Sequence, residues 1–203
     1  QVAGLSTTQL TRLSTAQINA MSGAHIARLS TDSVKALSGA QVAAIDLTAL
    51  RSMTAQQINA LDTADLAGMG TAQIAGLRSD QLQGMTTSQL NVLTTTQVAA
   101  LGASQLGNLT TGQIASLKTE AIATLNSSQV TGLKAQQLDA MSTSQISKIA
   151  STAIAGLSGT QVAGFSTEQL AALTTGQAQS LTNAQIRSLT TDQMAGLSTA
   201  SLA

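Results

Sequence analysis

The 203-residue chain is 43% hydrophobic and 9% charged, and it has one aromatic residue, Phe165, and no Cys, Pro, Trp or Tyr. This aliphatic content is too high for charge-driven disorder and allows a buried core. Nine basic and nine acidic residues cancel, so the chain lacks the positive surface and aromatic platforms that nucleic-acid binding requires, and no apolar run is long enough to span a membrane.

The chain is an uninterrupted array of eight-residue repeats, such as LSTTQLTR (5–12) and LSTAQINA (13–20). Steps of eight from Leu5 to Leu197 meet 25 apolar residues, and steps of eight from Leu10 to Leu202 meet 25 more. We number the first site position one and the second position six, so that the consensus is LSTxQIxA. The frame predicts one array over residues 1–203, with 25 repeats from Leu5. Because both ends match the interior of a repeat, we expect it to be part of a longer array.

Each repeat starts with a helix-capping pattern. Position two is Ser, Thr, Asp or Asn in 19 of 25 repeats, and position five is Gln in 18, which is the spacing of a capping box. Acidic residues concentrate at position four and basic ones at positions seven and eight, as a helix dipole favours. Gly at position eight, as in Gly68, Gly76 and Gly84, suits a chain that leaves a helix. The pattern predicts one short helix per repeat.

Helices this short are unstable alone, so each must pack on other repeats. The sequence therefore predicts an all-α solenoid, elongated to roughly 80–120 Å if helix layers lie ~9 Å apart. Two and three helices per superhelical turn both fit, and small residues at position eight would let neighbouring turns approach closely. No polar capping repeat covers the ends, so we expect exposed apolar residues there (Val2, Leu5, Leu197 and Leu202) and self-association end to end or laterally.

No residue set points to catalysis, to a cofactor or to a metal ion. His25 stands at position five, where a surface or cap-satisfying role explains it. Asp62 and Asp65, with Asp46 two repeats earlier, are a weak calcium motif, because cap and N3 positions already account for them. Asn126 is an N-cap substitution, and the six Met residues occupy core positions. We therefore expect no catalytic, cofactor-binding or metal-binding residues and predict that the protein is not an enzyme.

The Gln at position five has two interpretations. It can cap its own helix, or it can form a ladder that bonds a neighbouring array. Capping predicts that Gln113→Ala costs about 0.5–2 kcal/mol, less than the roughly 2–5 kcal/mol expected for Leu109→Ala.

The repeats LSTAQINA (13–20), LTTTQVAA (93–100) and LTNAQIRS (181–188) resemble octapeptide arrays in very large secreted or surface-attached, adhesin-like bacterial exoproteins. The resemblance covers the whole chain. It implies a bacterial source, export to the cell surface or beyond it, and a role as a stalk, spacer or filament segment, and it brings no catalytic residue. The alternative is a binding module, in which Thr-rich caps such as residues 94–96 contact ice, polysaccharide or mineral.

Overall fold

Short helices follow one another along the chain. A computed structural model describes residues 6–197, and within that range 24 α-helices account for all the regular secondary structure. They are α1 (Thr7–Thr11), α2 (Thr15–Asn19), α3 (Gly23–Ile26), α4 (Thr31–Lys35), α5 (Gly39–Ala43), α6 (Leu47–Arg51), α7 (Ala55–Ala60), α8 (Thr63–Gly68), α9 (Thr71–Gly76), α10 (Ser79–Gln83), α11 (Thr87–Asn91), α12 (Thr95–Ala99), α13 (Ala103–Gly107), α14 (Thr111–Ala115), α15 (Thr119–Ile122), α16 (Ser127–Thr131), α17 (Ala135–Asp139), α18 (Thr143–Ile146), α19 (Ser151–Gly156), α20 (Gly159–Ala163), α21 (Thr167–Ala171), α22 (Thr175–Gln179), α23 (Asn183–Ser188) and α24 (Thr191–Gly196).

The predicted capping pattern sets where each helix begins. In α1 the N-cap Ser6 is extended, with φ −69° and ψ 158°. Its hydroxyl accepts a hydrogen bond from the Gln9 backbone N–H at 3.2 Å, and Gln9 Oε1 accepts one from the Ser6 N–H at 2.9 Å. Thr, Asp and Asn at position two accept the same N3 bond in other helices. The prediction of one helix per repeat is therefore confirmed.

The helices end without a left-handed residue. The backbone N–H at position one of each repeat donates to the position-six carbonyl of the preceding repeat, as from Leu93 to Leu90 at 3.2 Å. This bond tightens the last turn of the helix. Two extended residues then redirect the chain, as at Leu61 (φ −64°, ψ 141°) and Asp62 (φ −78°, ψ 169°). Among residues 6–197 no glycine has a positive φ, so the position-eight glycines do not end helices through the left-handed conformation.

The chain divides into two units, Gln1–Leu101 with α1–α12 and Gly102–Ala203 with α13–α24. Within each unit, every helix packs on the third helix after it. In the first unit α1 packs on α4, α2 on α5 and α3 on α6, and the same spacing continues to α9 on α12. In the second unit it runs from α13 on α16 to α21 on α24. Each superhelical turn of a unit therefore contains three helices and 24 residues, which decides between the two arrangements that the sequence allowed.

Positions one and six fill the interior of each unit. Ile114 and Leu117 are 0% and 4% exposed, and Phe165 is buried at 2%. Two expectations were wrong. Leu197, the C-cap of α24, is buried and not exposed. Met194 is 40% exposed and does not lie in the core. The side chain of Met194 lies on α24, which packs on α21 and on no later described helix. Val2, Leu5 and Leu202 lie outside the described residues.

Neighbouring turns touch through their small residues, as expected. A Cβ at Gly84, in position eight, would lie 2.6 Å from the Ala55 Cβ of the previous turn. A Cβ at Gly107, in position seven, would lie against the Gly132 carbonyl oxygen, closer than van der Waals contact allows. Glycine is needed at these two positions because the backbones approach so closely.

Gly107→Ala is expected to destabilise the protein by about 1–3 kcal/mol, because its methyl group would push the turns apart. Gly112→Ala is the matched control, since Gly112 also lies in a helix but has open space around it. It should stabilise the protein by about 0.4–1 kcal/mol through the lower entropy of the unfolded chain. Urea unfolding measures both, and a change of the same sign in the two variants would contradict the close approach.

Candidate functional site

The recurrent Gln at position five makes hydrogen bonds in two directions. In α21, Gln169 Oε1 accepts a hydrogen bond from the Ser166 backbone N–H at 2.9 Å. Its Nε2 donates to the carbonyl oxygens of Leu138, Asp139 and Met141 at 2.9, 3.0 and 2.7 Å. The first bond caps the helix that carries Gln169, and the others reach the previous turn.

The accepting carbonyls lie at the corner that follows α17, where the last carbonyls of a helix have no intrahelical partner. We call this contact the corner bridge: Nε2 of a position-five Gln bonded to carbonyls 31, 30 or 28 residues earlier. At least two of these three bonds form at Gln41, Gln57, Gln73, Gln81, Gln89, Gln97, Gln137, Gln145, Gln161, Gln169, Gln177, Gln185 and Gln193. One side chain thus caps the start of one helix and the end of another.

Ten of the thirteen glutamines of the corner bridge are buried, and Gln73, Gln161 and Gln193 are partly exposed. Gln81 is 0% and Gln177 1% exposed, whereas Gln9 and Gln17, which have no earlier described turn below them, are exposed and keep the capping bond. The capping interpretation is therefore confirmed. The ladder is also present, but it joins successive turns of this chain and not a neighbouring array. Gln113 is buried too, so we expect Gln113→Ala to cost more than the loss of an exposed cap would.

Arg78 supplies a similar link from position two. Its guanidinium donates to the carbonyl oxygens of Arg51, at the end of α6, and Met53. It also forms an ion pair with Asp80 at 2.8 Å, and that hydrogen bond lowers the pKa of Asp80. The dipole of a helix favours a cation at its C-terminus. This explains why Arg78 occupies position two although its side chain makes no N-cap hydrogen bond. Nothing in the structure explains Lys118 and Lys134 at the same position.

His25 and Asn126 serve as caps. His25 Nδ1 accepts from the Ser22 backbone N–H at 3.3 Å, and the His25 N–H donates to the Ser22 hydroxyl, so the imidazole replaces Gln. Asn126 Oδ1 accepts from the Gln129 N–H at 3.0 Å. Both sequence interpretations are confirmed by these bonds.

The three aspartates of the weak calcium motif are also caps. Asp46 accepts from the Thr48 N–H at 2.8 Å, and hydrogen bonds from Thr48 lower its pKa. Asp62 accepts from the Asp65 N–H at 2.8 Å. Within residues 6–197, no group of three acidic, His or Cys side chains could hold a metal ion.

Small polar residues form the outer surface. Threonine at position three starts four consecutively stacked helices of the second unit, at Thr119, Thr143, Thr167 and Thr191. The position-two hydroxyls are already engaged, as Thr94 is with the Gln97 N–H at 3.2 Å. A shallow groove of about 500 Å³ lies in the first unit, and one of about 290 Å³ lies in the second. Their walls are position-four amides, position-seven polar groups and small residues.

No helix in residues 6–197 has both the length and the apolar character needed to cross a membrane. No curated protein matches the chain. Residues 1–31, 58–95 and 87–119 match a family model described as the ALTTAQ repeat. The six letters of ALTTAQ correspond to position eight of one repeat followed by positions one to five of the next. They include the N-cap residue at position two and the Gln at position five that forms the corner bridge. The matches show a repeat protein, made here of short helices.

Proposed function

We propose that the chain is an extracellular structural segment, which acts as a stalk, spacer or filament-forming part of a bacterial surface protein of the adhesin type, and that it is not an enzyme. The resemblance of its repeats to exoprotein arrays supports the bacterial and extracellular setting. The structural role has a separate basis in the geometry.

The observation that carries the proposal is the recurrence of the corner bridge. The Gln that recurs at position five is buried in most repeats, and it bonds to the backbone of the previous turn, as Gln169 does. Such a residue holds turns together and is not presented to a substrate. Because each repeat contacts only nearby repeats, length can be changed by whole turns without a new core, which is what a spacer requires.

A length series tests the spacer role. Duplication of residues 133–156, one turn of 24 residues, in the full chain is expected to add about 8–10 Å of length per copy at constant cross-section, as one layer of packed helices would. Small-angle X-ray scattering of the chain with zero, one and two added turns measures this. An increase in thickness instead of length would contradict the proposal.

Filament formation is the more specific version of this role. Zero net charge at pH 7 provides no repulsion between copies, so we expect end-to-end or lateral association as concentration rises. Light scattering and electron microscopy detect it. A strictly monomeric chain at all concentrations would remove the filament and leave the spacer.

A surface-binding module is the second candidate, favoured by the stacked threonines Thr119, Thr143, Thr167 and Thr191. Most position-five glutamines cannot contribute, because the corner bridge buries their amides. Replacement of Thr143 and Thr167 by Val should abolish binding to ice, polysaccharide or mineral if this candidate is correct. Unchanged inhibition of ice recrystallisation and unchanged polysaccharide pulldown would dismiss it.

A further inference from the structure

One corner of the first unit has a carboxylate where the other bridged corners have an amide. Asp65 occupies position five of α8, the place from which Gln57 and Gln73 donate to the previous turn. Its side chain is 4% exposed. It keeps the capping half of the Gln role, since Oδ2 accepts from the Asp62 backbone N–H at 3.4 Å. An ionised carboxylate cannot perform the other half, because it has no proton to donate.

The corner that Asp65 faces lies between α4 and α5. Gln57 donates to carbonyls 31, 30 and 28 residues earlier, and the same register gives the carbonyls of Val34, Lys35 and Leu37 as the acceptors that a donor at Asp65 would have. Asp65 Oδ1 lies 3.3 Å from the position where a Cβ on Gly39, the first residue of α5, would be. The carboxyl group is therefore at this corner and not in solvent.

Few other charges surround it. The helices on which α8 packs, α5 and α11, carry no titratable side chain. The neighbouring α4 carries Asp32 and Lys35, both exposed, and α8 itself is preceded by its N-cap Asp62. No ion pair of Asp65 with Lys35 forms among the described residues.

We propose that Asp65 is an acid-activated latch between two turns: deprotonated, it leaves this corner without the amide-type donor of its neighbours, and protonated, it donates one hydrogen bond to a corner carbonyl. No atom other than the proton moves between solvent and protein. The carboxylic acid has a donor and an acceptor, as the glutamine amide does, so only the acid form can both cap α8 and bridge to the previous turn.

The direction of the pKa shift of Asp65 agrees with a latch that closes in acid. Burial, followed by the negative charge of Asp62, raises the pKa of Asp65 above its usual value. A group whose pKa is higher in the folded than in the unfolded protein binds its proton preferentially in the folded state, so its contribution favours folding as pH falls. The latch is thus expected to close as pH falls through the folded-state pKa of Asp65, and to be fully closed below the unfolded value of about 3.9.

Asp65→Asn in the full chain tests the latch, because asparagine has the shape of the protonated acid and donates at every pH. At pH 7.5 the variant is expected to melt about 2–4 °C above the wild type, and the gap should disappear as pH falls toward about 4. Asp46→Asn is the control. The pKa of Asp46 is lowered by its hydrogen bonds, so there the wild type should be the more stable protein at pH 7.5, with a gap that also narrows in acid.

A gap for Asp65→Asn that stays constant from pH 7.5 to pH 4, or a variant that melts below the wild type at pH 7.5, would overturn the latch. Carbon-detected NMR titration of the Asp65 carboxyl group gives a readout that does not depend on unfolding. Titration above about 3.9, accompanied by shifts at Leu37 and Gly39, supports the latch, and titration at or below that value refutes it.

Discussion

Insertion of one alanine between Gln137 and Leu138 is expected to lower the melting temperature by about 10 °C or more, whereas deletion of residues 133–140 should change it by only a few degrees, roughly 2–4 °C. The insertion lies within α17 and rotates Leu138, which is 0% exposed, by about 100° away from the core. It also displaces the Leu138 and Met141 carbonyls to which Gln169 donates. Deletion of one whole repeat leaves every remaining helix with a partner three repeats away.

Thermal unfolding followed by circular dichroism measures both variants. A duplication of residues 133–140 is the matched control, because it adds eight residues and preserves the frame. Equal melting temperatures for the insertion and the duplication would show that the eight-residue register has no structural role.

Gln169→Ala is expected to cost about 2–5 kcal/mol, as much as the loss of a core leucine. It leaves the Ser166 N–H and the carbonyls of Leu138 and Met141 without their partner, and each buried backbone group left unpaired costs about 1–3 kcal/mol. Denaturant unfolding gives the difference in free energy.

Two control variants separate the parts of this cost. Gln9→Ala removes a capping bond from an exposed glutamine and should cost only about 0.5–1.5 kcal/mol. Gln169→Glu keeps the size and the acceptor but lacks the donor at neutral pH, so most of the loss should remain at pH 7 and be recovered in acid. If Gln169→Ala costs no more than Gln9→Ala, the corner bridge does not stabilise the protein.

The helices could be predicted from the sequence because their signals are local. Ser6 and its capping partner Gln9 are three residues apart, and the Leu13 N–H, just after α1, bonds to the carbonyl of Leu10, also three residues away. The number of helices per turn depends on contacts between residues 24 apart, where one repeat is much like the next, so no residue type marks the partner. The small residues Gly84 and Ala55 lie opposite each other in neighbouring turns, but this pairing can be recognised in the sequence only when the stacking is already known.

The second role of glutamine had a signal in the sequence. A capping box accepts Glu as well as Gln, yet position five contains no Glu in any repeat, and both glutamates, Glu120 and Glu168, occupy position four. A site that only needed an acceptor would tolerate glutamate. The preference for Gln over Glu indicates that in most repeats the side chain also donates, and the structure shows that it donates to the carbonyls of the previous turn.

The corner bridge also bears on how such a chain folds. Its bonds span 28 to 31 residues, and extra repeats add more contacts of the same span instead of more distant ones. The entropic cost of loop closure, which rises with loop length, is then the same for every turn. Nucleation is expected to require closure of about four repeats, after which helices add one at a time to an existing edge. The folding time of the first turn should therefore be independent of array length, and a growing chain can complete each turn before the next is made.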